Sequence, residues 1–189
     1  MIFYFGTFNP VHLGHIKIAD SVKKAYNDKV VFVPAYDSPW KPDLKNSFES
    51  RCKMIELCNQ EVCRIEKDLP TPSYTYQTVE ILSETWGTVK IIVGYDQYFS
   101  LPKWKNPEML KKLCKFIVIP REIGVSEEEI NDKLQSMNSE GWESELFKIP
   151  LINISSSEIR KTLVQNKASN DISPDVLRYI KENSAKFLK

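Results

Sequence analysis

Short apolar runs alternate with longer amphipathic stretches along almost the whole chain. The short runs have the length of buried strands, whereas the longer stretches repeat apolar residues every three to four positions, as helices do. The sequence predicts strands at residues 2–5, 30–33, 62–65, 89–93, 116–119 and 146–149. It predicts helices at residues 12–27, 47–60, 74–86, 107–113, 126 to about 137, from 155 onwards, and 173 to about 186.

Polar residues at the start of several helical stretches support these boundaries. A Ser followed three residues later by Glu is the capping-box pattern, and Ser before Pro is a typical N-cap with Pro at the first helical position. The capping-box pairs are Ser126 with Glu129 and Ser155 with Glu158, and the further N-caps are Ser47 and Ser173, the latter before Pro174.

The alternation of strands and helices predicts an α/β fold, a Rossmann-like doubly wound parallel sheet with helices on both faces. The length of the chain, 189 residues, fits a single domain over 1–189. The C-terminal helical part of this domain is expected to cover about 153–189. Ligands of such sheets bind outside the carboxyl ends of the strands. Residues 6–15, 34–41 and 94–96 follow strands directly and are therefore candidate binding segments.

Charge and hydropathy narrow the class of protein. The net charge is +1, which disfavours a dedicated nucleic-acid binder but allows a local basic pocket for phosphates. No stretch approaches 18 consecutive apolar residues, and the N-terminus lacks the features of a secretory signal. We therefore expect a cytoplasmic protein with small-molecule substrates and with neither nucleic-acid nor membrane partners.

The four cysteines do not form a metal-binding pattern. Cys52, Cys58, Cys63 and Cys114 include no Cys-x-x-Cys pair, and only two histidines, His12 and His15, are present to join them. This spacing argues against a zinc site and favours free thiols in a reducing compartment. No metal ligands are expected from the chain itself.

The segment after the first strand carries the strongest chemical signal. It reads Gly6-Thr7-Phe8-Asn9-Pro10-Val11-His12-Leu13-Gly14-His15. Gly6 allows close approach of the backbone, Thr7 and Phe8 offer N–H groups, and the start of a helix favours an anion. Two imidazoles three residues apart can donate to phosphate oxygens as negative charge builds up. A structural or metal-binding histidine pair is the alternative.

Other candidate groups each have an ordinary structural alternative. Ser155, Ser156 and Arg160 open a helix and can hold phosphate, yet Ser155 with Glu158 also reads as a plain capping box, and both roles are compatible. Lys41 alone is compatible with a surface charge. Trp104 can stack on an aromatic ligand or pack over a helix end, and Asp96 can bind a ligand or cap a helix.

The string Gly-x-Phe-x-Pro-x-His-x-Gly-His resembles the signature of the nucleotidyltransferase superfamily with the His-x-Gly-His motif. Over nearly the whole chain the closer resemblance is to the bacterial nicotinate-nucleotide adenylyltransferases. Matching segments are Pro34 to Lys41, Arg51 with Met54, Pro72 to Thr78, Ile92 to Asp96, Pro102 to Lys105, Val118 to Arg121 and Ile154 to Arg160. Members of that family join nicotinate mononucleotide to ATP, which gives deamido-NAD and pyrophosphate.

The resemblance implies a role for each matching residue. The implied catalytic residues are His12, His15, Lys41 and Arg160. The implied ATP-binding residues are Gly6, Thr7, Phe8, His15, Gly94, Asp96, Arg121, Ser155, Ser156 and Arg160, and the implied mononucleotide-binding residues are Thr7, Lys41, Tyr74, Thr75 and Trp104. Mg²⁺ is expected to accompany ATP. The chain departs from the family pattern at Phe5, Asn9, Trp40 and Tyr95.

The mechanism implied is direct in-line attack without a covalent intermediate, so catalysis is positioning plus charge stabilisation. Three alternatives stay open at this point. The acceptor can be nicotinamide mononucleotide or phosphopantetheine, the nucleotide can be CTP, or the chain can be a non-catalytic nucleotide-binding protein of the same fold.

Overall fold

The computed structural model describes residues 1–37, 47–120, 126–150, 154–165 and 170–183. Within these residues, strands and helices alternate as the sequence predicts. The strands are β1 (Ile2–Gly6), β2 (Val30–Pro34), β3 (Glu61–Val62), β4 (Val89–Gly94), β5 (Cys114–Ile119) and β6 (Ser144–Leu146). The α-helices are α1 (Leu13–Tyr26), α2 (Phe48–Glu56), α3 (Thr75–Trp86), α4 (Tyr95–Ser100), α5 (Pro107–Leu113), α6 (Glu127–Ser139), α7 (Ser156–Val164) and α8 (Pro174–Glu182).

By its internal contacts the chain divides into two compact units. The first unit contains Met1–Phe5 and Tyr74–Ile152, and the second contains Gly6–Ser73 and Asn153–Lys189. The single-domain organisation stays a prediction.

The first unit contains four strands in the order β1-β4-β5-β6, each parallel to its neighbour. Phe3 is opposite Ile91, and Ile91 is opposite Phe116. All three side chains are buried, because a strand flanked on both sides by parallel neighbours and covered by helices has no solvent face. The strand β4 follows β1 in the sheet although two other strands separate them in the chain.

The second unit contains β2 and β3, which pair in parallel with Phe32 opposite Val62. Around them the chain forms α1, α2, α7 and α8. The buried side of α1 is made by Ile18, Ala19 and Val22, the spacing expected of a helix with one apolar face.

The predicted fold class is confirmed: the chain is α/β, with a Rossmann-like, doubly wound arrangement of parallel strands and helices. Several boundaries also agree. The helix α5 covers Pro107–Leu113, as predicted. The capping box of α6 forms, with the Ser126 N–H donating to Glu129 Oε2 at 2.9 Å and the Glu129 N–H donating to Ser126 Oγ at 3.1 Å. The strand predicted at residues 62–65 is shorter and covers Glu61–Val62. Residues Ile65–Asp68 form a 3₁₀ helix.

Two further predicted boundaries are wrong for identifiable reasons. The last strand begins at Ser144 rather than at 146, because the Asn138 side chain holds the Ser144 N–H and hydroxyl at 3.1 and 2.8 Å. The helix predicted over 47–60 ends at Glu56, and Asn59 then adopts a left-handed conformation with a φ of 57° that ends helical geometry. The predicted end of the last helix, near residue 186, lies outside the described residues.

All four cysteines are free thiols, as predicted. Cys52 and Cys114 are buried, and burial raises the pKa of Cys52 to about 11. In the part of the chain that the structure describes, no helix is both long enough and apolar enough to cross a membrane.

Candidate active site

The turn after β1 depends on the absence of a side chain at Gly6. A Cβ atom at this position would lie 2.7 Å from Cζ of Phe8, closer than two carbons can approach. The Phe8 backbone has a φ of 50°, in the left-handed region that few non-glycine residues adopt, and its buried ring folds back over Gly6. The sequence analysis selected Gly6 for close approach to a ligand, which stays a prediction, and the structure gives a separate reason for glycine here, which is space for the Phe8 ring.

The Phe8 ring also supports His15. Its centroid is 5.0 Å from that of the imidazole at an interplanar angle of 80°, and 4.9 Å from the Phe32 ring on β2. Edge-to-face contacts of this kind add to the burial of both rings. Phe8 therefore limits the positions that the His15 ring can take.

His12 and His15 cap the start of α1 by bonding to each other's backbone. The His15 N–H donates to His12 Nδ1 and the His12 N–H donates to His15 Nδ1, both at 3.3 Å. The two rings are stacked with centroids 3.6 Å apart. The structural role that the sequence left open for this pair is therefore present, and the two rings do share one face of the helix start.

The double cap defines which nitrogen of each ring can act as a donor. Because Nδ1 of both rings accepts a hydrogen bond, the proton of each neutral imidazole is assigned to Nε2. Nε2 lies on the side of the ring away from the cap. His12 and His15 are only 3 % and 8 % exposed, so a hydrogen bond from Nε2 to an anion would be little weakened by water.

One part of the sequence interpretation needs correction here. We expected backbone N–H groups at the start of α1 to serve a phosphate, but the first turn uses two of them within the protein. The Leu13 N–H donates to the Asp171 carbonyl at 2.7 Å, and the His15 N–H donates to His12. The imidazoles therefore stay the candidate anion donors of this helix start.

The start of α7 bonds to the turn that precedes α1. The Ser156 hydroxyl donates to the Pro10 carbonyl at 2.9 Å, and Arg160 Nη1 donates to the Asn9 carbonyl at 2.6 Å. Ser155 is the N-cap and accepts from the Ser157 N–H at 3.2 Å. The two motifs at opposite ends of the sequence are thus brought together within the second unit.

The capping box predicted at this helix is only half correct. Ser155 is the cap, but Glu158 does not reach back to it, because its carboxylate accepts from Lys161 at 2.8 Å. Both partners are exposed and one helical turn apart, a spacing that favours such pairs.

The remaining described candidates belong to the first unit. Tyr74 is the N-cap of α3 and Thr75 its first residue, with the Tyr74 N–H donating to Gln77 Oε1 at 2.8 Å. Gly94 is the N-cap of α4, so Asp96 lies in the first turn of that helix rather than at its cap. Trp104 is half-buried, and its indole N–H donates to the Ser100 hydroxyl at 2.9 Å.

Tyr95, one of the departures from the family pattern, is accommodated by burial. Its ring is 4 % exposed and packs edge-on against Phe99 with centroids 4.6 Å apart. Lys133 on α6 donates to the Tyr95 hydroxyl at 2.9 Å. Lys41, Arg121 and Trp40 lie outside the described residues.

Sequence reasoning did not recognise the role of Arg51. Its side chain is fully buried and donates to the carbonyls of Thr7 at 2.8 Å and Ala35 at 2.7 Å. Burial lowers the pKa of the guanidinium to about 10, so it is still charged at neutral pH. The available signal is its position on α2, since Phe48, Arg51, Cys52 and Ile55 have the i, i+3, i+4, i+7 spacing of a buried face.

Among the described residues, no three His, Cys, Asp or Glu side chains gather closely enough to hold a metal ion. The candidate donors for an anion are the two imidazoles and the Arg160 guanidinium, whereas the Ser156 hydroxyl gives its single proton to the Pro10 carbonyl. Two hydrogen bonds involve Arg160, to Asn9 and Ser157, and a guanidinium has five N–H donors. Arg160 therefore has the capacity to bind an anion as well as the Asn9 carbonyl.

Comparison with known proteins gives a consistent family. Residues 3–162 match the model of the cytidylyltransferase-like family. A protein of Staphylococcus epidermidis named "Probable nicotinate-nucleotide adenylyltransferase" is 35% identical over 96% of this chain and 94% of its own length. A protein of Hydrogenobaculum with the same name is 34% identical over 94% of this chain and 93% of its own length.

A solved structure shows the same fold. The nicotinic acid mononucleotide adenylyltransferase of Plasmodium falciparum, complexed with NaAD, aligns with a TM-score of 0.74 at 21% sequence identity. The alignment covers 100% of this chain and 97% of that chain. This chain therefore belongs to the cytidylyltransferase-like family, and its curated relatives assign it to the nicotinate-nucleotide adenylyltransferases.

Proposed function

We propose that this chain joins nicotinate mononucleotide to the AMP part of ATP, giving deamido-NAD and pyrophosphate. An oxygen of the mononucleotide 5′-phosphate attacks the α-phosphorus of ATP. The bond from that phosphorus to the oxygen bridging to the β-phosphorus breaks, and pyrophosphate leaves with the electron pair. The attacking phosphate is already ionised, so the step requires neither a protein nucleophile nor a general base.

The observation that carries the proposal is the paired geometry of His12 and His15. Their Nδ1 atoms accept in the cap, so the neutral rings carry their protons on Nε2, and these two N–H groups are donors whose rings are held in a stacked arrangement. Donors fixed in advance where charge develops are an effective means of lowering a phosphoryl-transfer barrier. In the proposed mechanism they bind oxygens of the α- and β-phosphates, where charge builds up as pyrophosphate departs.

The other residues of the second unit supply binding. Arg160 extends the donor array with a planar fork that suits phosphate oxygens. The Ser156 hydroxyl donates to the Pro10 carbonyl, so Ser156 is proposed to contribute its backbone N–H at the start of α7. Gly6, Thr7, Phe8 and Ser155 contribute the close backbone approach and the cap of α7. Lys41 is proposed to bind phosphate on the strength of the family resemblance alone.

Further residues are assigned to the base and ribose parts of the ligands on the strength of the family resemblance. Gly94 and Asp96, at the start of α4, are proposed to bind the ATP ribose, and Arg121 the adenine. Tyr74, Thr75 and Trp104 are proposed to bind the pyridine ring. The half-buried position of the indole of Trp104, fixed by Ser100, is consistent with a stacking surface.

Mg²⁺ is proposed to arrive with ATP as part of the substrate, where it would neutralise part of the phosphate charge. This assignment fits the donor set, since imidazole, hydroxyl and guanidinium groups suit phosphate, whereas Mg²⁺ prefers carboxylate and water oxygens.

Pyrophosphate release tests the proposal. The chain is incubated with ATP or CTP and, in turn, with nicotinate mononucleotide, nicotinamide mononucleotide or phosphopantetheine. We expect release to be fastest with ATP and nicotinate mononucleotide. A preference for CTP or for another acceptor would replace this substrate assignment, and no release with any pair would favour a nucleotide-binding protein without catalysis.

A further inference from the structure

Two buried charged residues form hydrogen bonds with opposite ends of a single peptide unit. The Ala35 carbonyl accepts from Arg51 Nη2 at 2.7 Å, and the N–H of the same unit, that of Tyr36, donates to Glu66 Oε2 at 3.1 Å. Arg51 is 0% exposed and Glu66 is 4% exposed. This peptide unit lies directly after β2, where the chain leaves the sheet.

Arg51 also holds the chain where it leaves β1. Its Nη1 donates to the Thr7 carbonyl at 2.8 Å, one residue after the end of that strand and five before His12. The Ala35 N–H donates to the Gly6 carbonyl at 2.9 Å, so the two strand ends are also joined directly. One guanidinium thus fixes both the turn that leads to the histidine pair and the segment after β2.

The local surroundings keep Arg51 in one orientation. Its Nε donates to the Ser47 hydroxyl at 3.1 Å, and its guanidinium carbon lies 5.5 Å from the centre of the Phe48 ring. Nε and both terminal nitrogens therefore each have a partner in a different direction. Only a rigid fork of this kind satisfies all three, because an ammonium group offers a single point of attachment on a flexible chain.

Glu66 fixes the segment after β2 from its other side. Its Oε2 also accepts from the Ser73 hydroxyl at 3.1 Å, and the Ser73 N–H donates to the Asp37 carbonyl at 3.0 Å. Residues 35–37 are therefore held through both carbonyl and N–H groups. Burying two charges has a large desolvation cost. Here the two charged side chains fix the backbone at the end of the strand and do not serve to pack a core.

We propose that Arg51 is a positioning residue for the AMP transfer, which fixes the Thr7 and Ala35 carbonyls and thereby sets the histidine pair relative to the segment after β2. Glu66 supports it by holding the other end of the Ala35–Tyr36 peptide. The kinetic part of this inference rests on the proposed function. A misplacement of about 1 Å remote from the reacting atoms can cost roughly 10²-fold in rate.

The test compares Arg51→Lys with Arg178→Lys, an exposed arginine of α8 that pairs with Asp175. Arg51→Lys keeps the charge but cannot bridge both carbonyls. We expect kcat to fall about 10- to 100-fold with KM for ATP changed by less than about threefold, the signature of displaced rather than missing donors. Arg178→Lys is expected to match the wild type.

Amide hydrogen exchange supplies a readout that does not require turnover. In Arg51→Lys we expect faster exchange in peptides covering residues 6–12 and 34–37, with the β5 peptide 114–119 unchanged. If the wild-type protein shows no turnover, the proposed function is refuted. The exchange rates of peptides 6–12 and 34–37 would still show whether Arg51 fixes these two segments.

Two outcomes overturn the inference. One is a kcat within about threefold of wild type per folded molecule, whatever the loss of Tm. The other is a lower kcat without faster exchange in either segment. If Arg51→Lys does not fold, Glu66→Gln decides in its place, since the amide keeps the shape of the side chain but accepts more weakly than a carboxylate from the Tyr36 N–H. Faster exchange at 34–37 with a reduced kcat then supports the inference, and wild-type values of both overturn it.

Discussion

The starts of α1 and α7 are both candidate phosphate sites, yet they are built in opposite ways. At α1 the two predicted catalytic residues cap the helix themselves, through reciprocal 3.3 Å hydrogen bonds between each backbone N–H and the other ring. Both rings are buried. At α7 the cap belongs to Ser155, while the predicted ligand-binding groups of Ser156 and Arg160 are separate from it.

The difference teaches how function and stability are coupled in this molecule. In α1 the same imidazole serves the helix with Nδ1 and is proposed to serve the substrate with Nε2, so a simple truncation removes both roles. In α7 the cap and the proposed ligand groups are different residues, so each can be removed alone. The following variants separate the two roles.

The largest effect is expected for His15→Asn. The Asn side-chain oxygen can occupy the place of Nδ1 and accept from the His12 N–H, but Asn has no atom at the position of Nε2. We expect kcat to fall about 10²- to 10³-fold, the loss typical of a missing transition-state donor, with little change in Tm. Steady-state pyrophosphate release and thermal melting followed by circular dichroism measure the two effects.

The matched variant His15→Gln can keep a donor at the position of Nε2 and lose the acceptor at the position of Nδ1. Its amide nitrogen reaches the position of Nε2 only when its oxygen leaves the cap, because one Gln side chain cannot occupy both places. A Gln whose oxygen caps the helix instead, as Gln77 does at α3, would lack the Nε2 donor. We expect His15→Gln to retain more turnover than His15→Asn and to lose more stability, by about 0.5–2 kcal/mol for the lost cap. Equal turnover in the two variants, together with this loss of stability in His15→Gln, would show that Nε2 of His15 is not the donor.

Arg160→Ala is expected to act on binding rather than on turnover. Hydrogen bonds to charged groups contribute about 1.5–3 kcal/mol, so we expect KM for ATP to rise roughly 10- to 100-fold. Lys161→Ala is the control, because Lys161 is an exposed neighbour that pairs with Glu158. An unchanged KM in Arg160→Ala would confine its role to holding the Asn9 carbonyl.

Gly6→Ala tests the packing that supports His15. The added methyl would lie 2.7 Å from the Phe8 ring, and overpacking of this kind costs about 1–3 kcal/mol of unfolding free energy. Urea denaturation measures the loss. In a Phe8→Leu background the clash atom is absent, so the loss should be smaller; an equal loss in both backgrounds would contradict the contact.

The smallest effect is expected for Ser155→Ala. Loss of the N-cap costs about 1 kcal/mol of stability, because the Ser155 oxygen accepts from the Ser157 N–H. The kcat should stay within about twofold, because the proposed mechanism uses Ser155 as the cap of α7 and not as a transition-state donor. A large loss of turnover would mean that cap and catalysis are coupled at α7 as well, and the contrast between the two helix starts would not hold.

Local patterns predicted the elements well where the causes are local. The capping box of Ser126 and Glu129 forms because both partners lie within one turn. The limits of α5 follow from Pro107 at the first helical position. The histidine pair could be recognised because three residues place two side chains on one face of a helix start.

Features that depend on a choice between local partners, or on distant partners, could not be predicted in the same way. Glu158 can pair with either Ser155 or Lys161, each three residues away, and the sequence pattern does not indicate which hydrogen bond forms. The start of β6 depends on Asn138, and the position of the Phe8 ring over Gly6 depends on a left-handed backbone that no local pattern indicates. The bonds of Arg51 join residues 44 and 16 positions away, so only the folded chain reveals them.

The central claim is direct transfer of AMP to the acceptor phosphate, and the fate of labelled ATP tests it most directly. ATP labelled at the α-phosphorus is mixed with nicotinate mononucleotide and wild-type protein, and the products are separated after a single turnover. Direct transfer predicts that all transferred label is in the dinucleotide, that one pyrophosphate is released for each dinucleotide formed, and that no label is bound to the protein. Label in free AMP or attached to the protein would contradict it.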